Sequence, residues 1–438
     1  MSFYFYSLWD WRFCFLLFLT SISIFASGIA LDKKTNNYTF LNKSIRWWIL
    51  FFTILLNLLI LGYFKYADFF LTSLYKFLGH KETPLLNIMV PVGVSFYTFS
   101  AISYIVDVYQ KKLKATNDFV ACLAFVSFFP SILSGPIHKG TEQMPQFLKK
   151  RTIDYSQISY GFRSFLWGAF MKACVADSLG IYVDTVYSNI SNHNGTTLLL
   201  ASILYAFQIY ADFAGYSLMA IGCGRMLGFE LHRNFNIPYL SKTITEFWSK
   251  WHISLTSWFR NYLYFPLGGN RVSKVRWIFN ILAVFILSGL WHGAAYTFII
   301  WGTIHGLFQI AEKLFYGDRI KSIKNDNNFI NAGRVLLTFS IVSVAWIFFR
   351  IPSLSDVFVI ITKIISQPGK PFFSQVLVTG LISLLILVTS ELIATYKSNC
   401  NLLINKSIVI RYFTIVVLIV YIMLMGNFGA GSFIYFQF

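Results

Sequence analysis

Residues 275–293 read VRWIFNILAVFILSGLWHG. The run is nineteen residues long and its only charge is Arg276, at the second position. A bilayer core takes about 20 apolar residues of helix to cross, so the segment is predicted to span a membrane rather than to pack in a soluble domain. It closes on the pair Trp291-His292. An ionised group at the centre of such a helix costs roughly 2.5–3.5 kcal/mol even on insertion scales, and groups kept there usually have work to do. A neutral imidazole there is a ready proton acceptor. A second pair, Trp251-His252, precedes the run.

The rest of the chain has the same texture. Of 438 residues, 56% are hydrophobic, 19% aromatic and only 12% charged, against about 25% charged in a soluble domain. The expected fold class is all-α, a polytopic helical membrane protein, since the ten-residue alternating segments of an outer-membrane barrel are absent. Apolar runs recur without a linker, which predicts one membrane domain over residues 1–438. The net charge of +18 comes from 36 Lys and Arg against 18 Asp and Glu. The basic residues sit in short clusters: Lys33, Lys34, Lys43 and Arg46; Lys111, Lys112 and Lys114; Lys139, Lys149, Lys150 and Arg151; Arg271, Lys274 and Arg276; Arg319, Lys321 and Lys324. Residues 182–197 and 426–438 carry none. That asymmetry places the basic loops in the cytoplasm and the bare ones outside. It points to a lipid bilayer as partner and away from nucleic acid. Cys14, Cys122, Cys174, Cys223 and Cys400 are scattered without metal-ligand spacing, so no metal site is expected. The apolar N-terminus lacks a basic leading region and carries Trp9, Asp10, Trp11 and Arg12, which marks a first membrane segment rather than a signal peptide.

Candidate spans cover residues 13–31, 48–64, a shorter piece at 69–78, 86–108, 119–137, 158–181, 197–227, 276–293, 295–315, 335–349, 358–365, 376–395 and 408–425. Allowing for half-spans, about ten to twelve crossings are expected, with residues 119–137 broken or re-entrant at Pro130 and Pro136. Residues 230–275 differ, forming an amphipathic, cytoplasm-facing stretch. There Ile244, Phe247, Trp248, Trp251, Leu255, Trp258 and Phe259 recur at three- and four-residue intervals, predicting an amphipathic helix in the headgroup region. Ser241 or Thr243 would cap it, and Glu246 and Lys250 have the favoured i,i+4 order. His252 falls at the edge of its apolar stripe. Residues 264–271 read as a turn.

From the residues alone, His292 is either an imidazole bonded to a neighbouring carbonyl in a helical bundle or a general base, a group that contributes roughly 10²–10⁴-fold to a rate. Gly289 and Gly293 beside it leave room for a close helix contact or for a ligand. His252 reads equally as a solvated interfacial residue, and His305 as a packing residue with a polar contact. Asp212, inside an apolar run, must be paired, protonated or facing water; its role is either a structural bond or chemistry. Asp107 lies near a span end, where a carboxylate is easier to solvate. No Gly-x-Ser-x-Gly elbow is present, so a covalent acyl carrier is expected on another polypeptide.

The blocks FWSKWHISLTSWFR at 247–260, YLYFPLGGNR at 262–271 and LSGLWHG at 287–293 resemble the membrane-bound O-acyltransferases, within them the bacterial alginate O-acetyltransferase-like branch. YADFAGYS at 210–217, LSGPI at 133–137 and FIYFQF at 433–438 support the likeness. Asn261 departs from it, standing where the branch commonly has Asp. The resemblance implies a funnel-shaped helical fold with a central tunnel, in the bacterial cytoplasmic (inner) membrane. It implies His292 as the principal catalytic histidine and His252 as the second, with Trp291, Arg260, Tyr262, Asp212 and Asn234 as substrate-binding candidates. The implied donor is acetyl-CoA, with no permanently bound cofactor. The acceptor is a periplasmic SGNH-type acetyltransferase or esterase partner, or directly a polysaccharide: alginate, another exopolysaccharide or peptidoglycan. The same fold admits D-alanyl transfer to teichoic acid from a carrier protein, although residues 267–271 look more like the acetyl-transferring branch. A non-catalytic transporter of acyl or sugar groups would call for internal repeats, which are not evident.

Overall fold

Helix follows helix in the computed structural model, which describes residues 2–32, 39–40, 43–80, 85–133, 135–317, 327–396 and 407–428. Lys33, Lys34, Ser134, Arg319, Lys321, Lys324, Cys400 and the block at 433–438 lie outside the described residues. In chain order the helices are α1 Ser2–Asp10, α2 Cys14–Asp32, α3 Ile45–Phe77, α4 Val94–Tyr109, α5 Phe119–Val126, α6 Phe129–Ile132, α7 Gly140–Leu148, α8 Tyr155–Phe170, α9 Asp177–Tyr187, α10 Gly195–Met226, α11 Ile244–Lys250, α12 Ile253–Phe259, α13 Lys274–His292, α14 Tyr296–Tyr316, α15 Asn328–Arg350, α16 Leu354–Ser366, α17 Gln375–Tyr396 and α18 Ile408–Met425. Many start where a short polar side chain satisfies an orphan backbone N–H. Asp118 accepts from Ala121 N at 3.0 Å, Asp154 from Gln157 N at 2.8 Å and Asn194 from Thr197 N at 3.0 Å.

The protein is an all-α, polytopic membrane protein. Among the described residues, eight helical segments are long and apolar enough to cross a membrane. The expected pieces at 48–64 and 69–78 are one continuous helix, α3, 33 residues long. Of the segment at 86–108, only the part from Val94 is helical, in the 16-residue α4. Residues 119–137 break into α5 and α6, with Pro130 in the first turn of α6, where its missing N–H is harmless.

Close packing holds the centre. A Cβ on Gly168 would strike the carbonyl of Gly215, and one on Gly215 that of Gly168; Gly161 and Gly222 are related in the same way. Two small residues a heptad apart on each helix thus let α8 and α10 touch backbone to backbone, the packing that works where lipid gives helices no hydrophobic drive to associate. Between α8 and α9 the chain makes a π-turn, Met171–Ala176. It turns Lys172 onto Asp177 at 2.6 Å and Asp212 at 2.8 Å. Intramembrane charge is thereby paired, as its cost requires.

The basic loops at 43–46, 111–114 and 139–151 meet at one end of the bundle. Arg46 donates to the Tyr109 carbonyl at 2.8 Å, Arg151 lies 4.0 Å over the Phe229 ring, and Glu142 bridges Lys139 and His232. The Lys-free residues 190–193 lie at the opposite end of α10, capped by Lys363 from α16.

Candidate active site

The periodicity of residues 244–259 predicts one helix, but the structure breaks it at the first Trp-His pair. Trp251 is extended, with φ −98° and ψ 132°, and His252 is left-handed, with φ 41° and ψ 55°. A non-glycine residue there is uncommon and persists only where its surroundings over-determine it. Asn234 supplies the determination. Its backbone carbonyl accepts from Ile253 N at 2.9 Å. Its side-chain oxygen accepts from Ser254 N at 3.1 Å and Ser254 Oγ at 2.9 Å, and its amide nitrogen donates to Ser217 Oγ at 3.1 Å. The stretch is not a headgroup helix either: Trp251 and His252 are both fully buried.

Asn234 also decides which ring nitrogen of His252 carries the proton. Ser254 N can only donate, so the Asn234 atom it meets is the oxygen. The third contact on that oxygen, His252 Nδ1 at 3.1 Å, therefore comes from an Nδ1–H. In the neutral ring this leaves the lone pair on Nε2. Burial pushes the His252 pKa down to about 3, so the ring is neutral at any ordinary pH. Its Nε2 is buried and makes no hydrogen bond among the described residues.

The second pair arrives from α13. A Cβ on Gly289 would strike the Phe298 carbonyl, and one on Gly293 the Phe298 ring. Of the two uses foreseen for these glycines, close helix contact, here with α14, is the one observed. It places the His292 ring centroid 6.2 Å from that of His252, with Trp301 and Phe349 each at 5.2 Å. Trp291 turns towards Phe96 at 5.2 Å, Phe99 at 5.6 Å and His252 at 5.8 Å. Two imidazoles far apart in the chain thus share one buried, aromatic-walled site.

The family model of the membrane-bound O-acyltransferases matches residues 110–351, a stretch holding both Trp-His pairs. The chain belongs to the membrane-bound O-acyltransferase family. Among its relatives, the Pseudomonas aeruginosa protein named "Probable alginate O-acetylase AlgI" is 38% identical over 356 residues, covering 81% of this chain and 66% of that protein. The peptidoglycan O-acetyltransferase of Helicobacter pylori is 32% identical over 394 residues, covering 84% of this chain and 73% of that protein. The teichoic acid D-alanyltransferase of Bacillus subtilis is 31% identical over 258 residues, covering 56% and 65%. The chain spans about two thirds of the length of the first two alginate O-acetylases it matches, 66% and 65%.

In this member of the family, His252, His292, Trp291 and Asn234 come together, whereas three other sequence candidates stand apart. Asp212 faces Lys172; it is its neighbour Phe213 that meets His252, at 4.6 Å between centroids. Tyr262 gives its hydroxyl to both oxygens of Asp107 at 3.0 Å. Arg260 is exposed. Asp107 itself is not solvated: it is 2% exposed and also accepts from Thr141 N at 3.0 Å. His305 is the expected packing residue, buried, its Nδ1 accepting from Trp248 Nε1 at 3.3 Å. Among the described residues no three His, Cys, Asp or Glu side chains converge as a metal ion would require.

Sequence reasoning misses the wall residues Phe96, Phe213, Phe235, Trp301 and Phe349, which look like any apolar side chains of a membrane helix. It also misses Lys65 and Tyr66 of α3, which bind the end of α13. A lone lysine within an apolar stretch is the signal that could have found them.

Proposed function

We propose that this chain is a membrane O-acetyltransferase of the cytoplasmic membrane, moving an acetyl group from cytoplasmic acetyl-CoA to a hydroxyl on the far side for O-acetylation of an extracytoplasmic polysaccharide. The observation that carries the reading is the convergence of His252 and His292 in one buried site. The names of the relatives, alginate O-acetylase and peptidoglycan O-acetyltransferase, support the acceptor class. In this reading the donor enters from the end of the bundle where the basic loops meet, and the acceptor from the other.

The acceptor oxygen attacks the thioester carbonyl carbon while His292 takes its proton. The carbonyl electron pair moves onto oxygen. On collapse the C–S bond breaks, and the leaving thiolate takes the proton back from the imidazolium, giving free thiol and acetyl ester. On entry the hydroxyl's one hydrogen bonds to the His252 Nε2 lone pair, and it turns to His292 as the oxygen attacks. Trp291 Nε1 and Trp301 Nε1, both buried and without a hydrogen-bond partner among the described residues, are the donors open to the oxyanion, since Tyr262 is engaged by Asp107 and Arg260 is exposed. The aromatic walls keep out water that would hydrolyse the thioester. The first acceptor is a serine of a periplasmic SGNH-type partner, which passes the group to the polymer.

The test is label transfer from acetyl-CoA to polymer in proteoliposomes, with and without such a partner. His292→Ala is expected to reach the membrane and transfer nothing; unchanged ester content refutes the reading. Transfer only from a D-alanyl carrier protein selects the alternative carried by the name of the Bacillus subtilis relative.

A further inference from the structure

The last four carbonyls of a helix have no partner within it, and α13 ends at the residue proposed to do the chemistry. Each of the four is accounted for. The Gly289 carbonyl accepts from Gly293 N at 3.3 Å. That of Leu290 accepts from the Tyr66 hydroxyl at 2.7 Å. Those of Trp291 and His292 both accept from Lys65 Nζ, at 2.7 and 2.9 Å. Three of the four partners thus come from two adjacent residues of α3. Lys65 also lies 5.9 Å from the Trp291 ring centroid, within reach of a cation–π contact.

Lys65 sits deep in an apolar helix, where a cation is costly and marks function by default. Among the described residues it pairs with no carboxylate. What it does meet is the negative end of the α13 dipole, where a cation is favoured. A neutral donor would satisfy one carbonyl; the ammonium has three hydrogens and satisfies two at once.

We infer that Lys65 is a positioning residue of the acyl-transfer site. With Tyr66 it clamps the last turn of α13 and so fixes the direction of the Trp291 and His292 side chains. The inference rests on the functional reading above. A clamp on the reacting ring acts on the rate of the chemical step, not on the binding of the thioester.

The experiment uses the full chain in proteoliposomes and measures kcat and KM for acetyl-CoA in Lys65→Met, Lys65→Arg, Tyr66→Phe and His292→Ala. Lys65→Met is expected to lower kcat by about tenfold or more with KM within about twofold. Lys65→Arg, whose guanidinium also serves two acceptors, recovers a large part of that loss. Tyr66→Phe uncovers only the Leu290 carbonyl and loses less than Lys65→Met. Wild-type kcat in Lys65→Met, a loss confined to KM, or Lys65→Arg as impaired as Lys65→Met overturns the role. Should Lys65→Met fail to reach the membrane, Lys65→Gln carries the same expectation and the same refutation. Normal turnover in Lys65→Met beside a dead His292→Ala sinks the role of Lys65 alone. A fully active His292→Ala sinks the functional reading as well.

Discussion

His252 and His292 hold their ring centroids 6.2 Å apart with the ring planes at 59°, close enough for one small group to touch both rings. If both rings act on the same hydroxyl, neither is useful without the other. Alanine at either position is expected to cost roughly 10²–10⁴-fold in the rate of ester formation. The double variant should be no slower than the slower single, because groups that act as a unit are not additive. Initial rates of the three variants in one membrane preparation decide it; losses that multiply would mean two independent roles.

Asn234 is the residue on which the His252 turn depends. Leucine there would leave Ser254 N, Ser254 Oγ and His252 Nδ1 without their common acceptor. Each buried donor so orphaned costs about 1–3 kcal/mol, so Asn234→Leu is expected to lower the thermal midpoint as well as abolish turnover. Asn234→Asp separates the two effects, since it keeps the acceptor and adds a charge. A carboxylate beside the ring favours the imidazolium, raising His252 from its value of about 3. The acid limb of the pH–rate profile should therefore move to higher pH; an unmoved limb with intact rate would remove His252 from the reaction.

What is legible in a sequence is local. The Thr243 cap on Glu246 N at 3.0 Å and the Glu246–Lys250 pair at 2.8 Å need only neighbouring residues, and so does the apolar length of α13. The break at His252 is invisible because the apolar period runs unbroken through it; only Asn234, in a different segment, forces the turn. Hydropathy also divides α3, since Lys65 and Asp68 depress it. The helix continues because both find distant partners: Lys65 the end of α13, and Asp68 the backbone nitrogen of Leu86 at 2.8 Å. Asp107 looks solvated for the same reason, its partner Tyr262 lying 155 residues away.

The α13–α14 contact makes a prediction about His292 without touching it. A methyl on Gly289 meets the Phe298 carbonyl, a backbone atom that cannot rotate aside. Gly289→Ala should therefore pry the helices apart at the His292 end. Overpacking of this kind costs about 1–3 kcal/mol, read as a lower thermal midpoint in detergent, with turnover falling alongside. Gly62, which has nothing within 4 Å of an added Cβ, serves as the control: Gly62→Ala should change neither.

Glu142 and His232 form a pH-sensitive latch at the end of the bundle where the basic loops meet, Nε2 to Oε2 at 3.2 Å. The hydrogen bond between them lowers the Glu142 pKa and raises that of His232. The His232 contribution is complete below its ordinary value of 6.5 and fades as pH rises through the raised one. The Glu142 contribution is complete above its ordinary value of 4.5 and fades as pH falls through the lowered one. The latch is therefore strongest between those ordinary values. Its partial exposure keeps the effect small. The thermal midpoint should show a shallow maximum in that window, flattened in both Glu142→Gln and His232→Gln; a maximum that survives either change lies elsewhere.

Asp212 is expected to matter for folding more than for turnover. Lys172 holds it at 2.8 Å and Asp177 at 2.6 Å, so the three charges form one buried group whose parts are not independent. Removing the cation leaves two carboxylates facing each other, and breaking a buried pair in this way costs about 3–5 kcal/mol. Asp212→Asn leaves Lys172 its partner Asp177 and should cost less, on the order of 1–3 kcal/mol, with kcat within a few-fold of wild type. The decisive case is the double variant. Adding Asp212→Asn to Lys172→Met takes away one of the two stranded carboxylates, so the double should melt above Lys172→Met alone. A double that melts below both singles would mean that Asp212 is held by something other than Lys172. A dead but stable Asp212→Asn would return the residue to the chemistry.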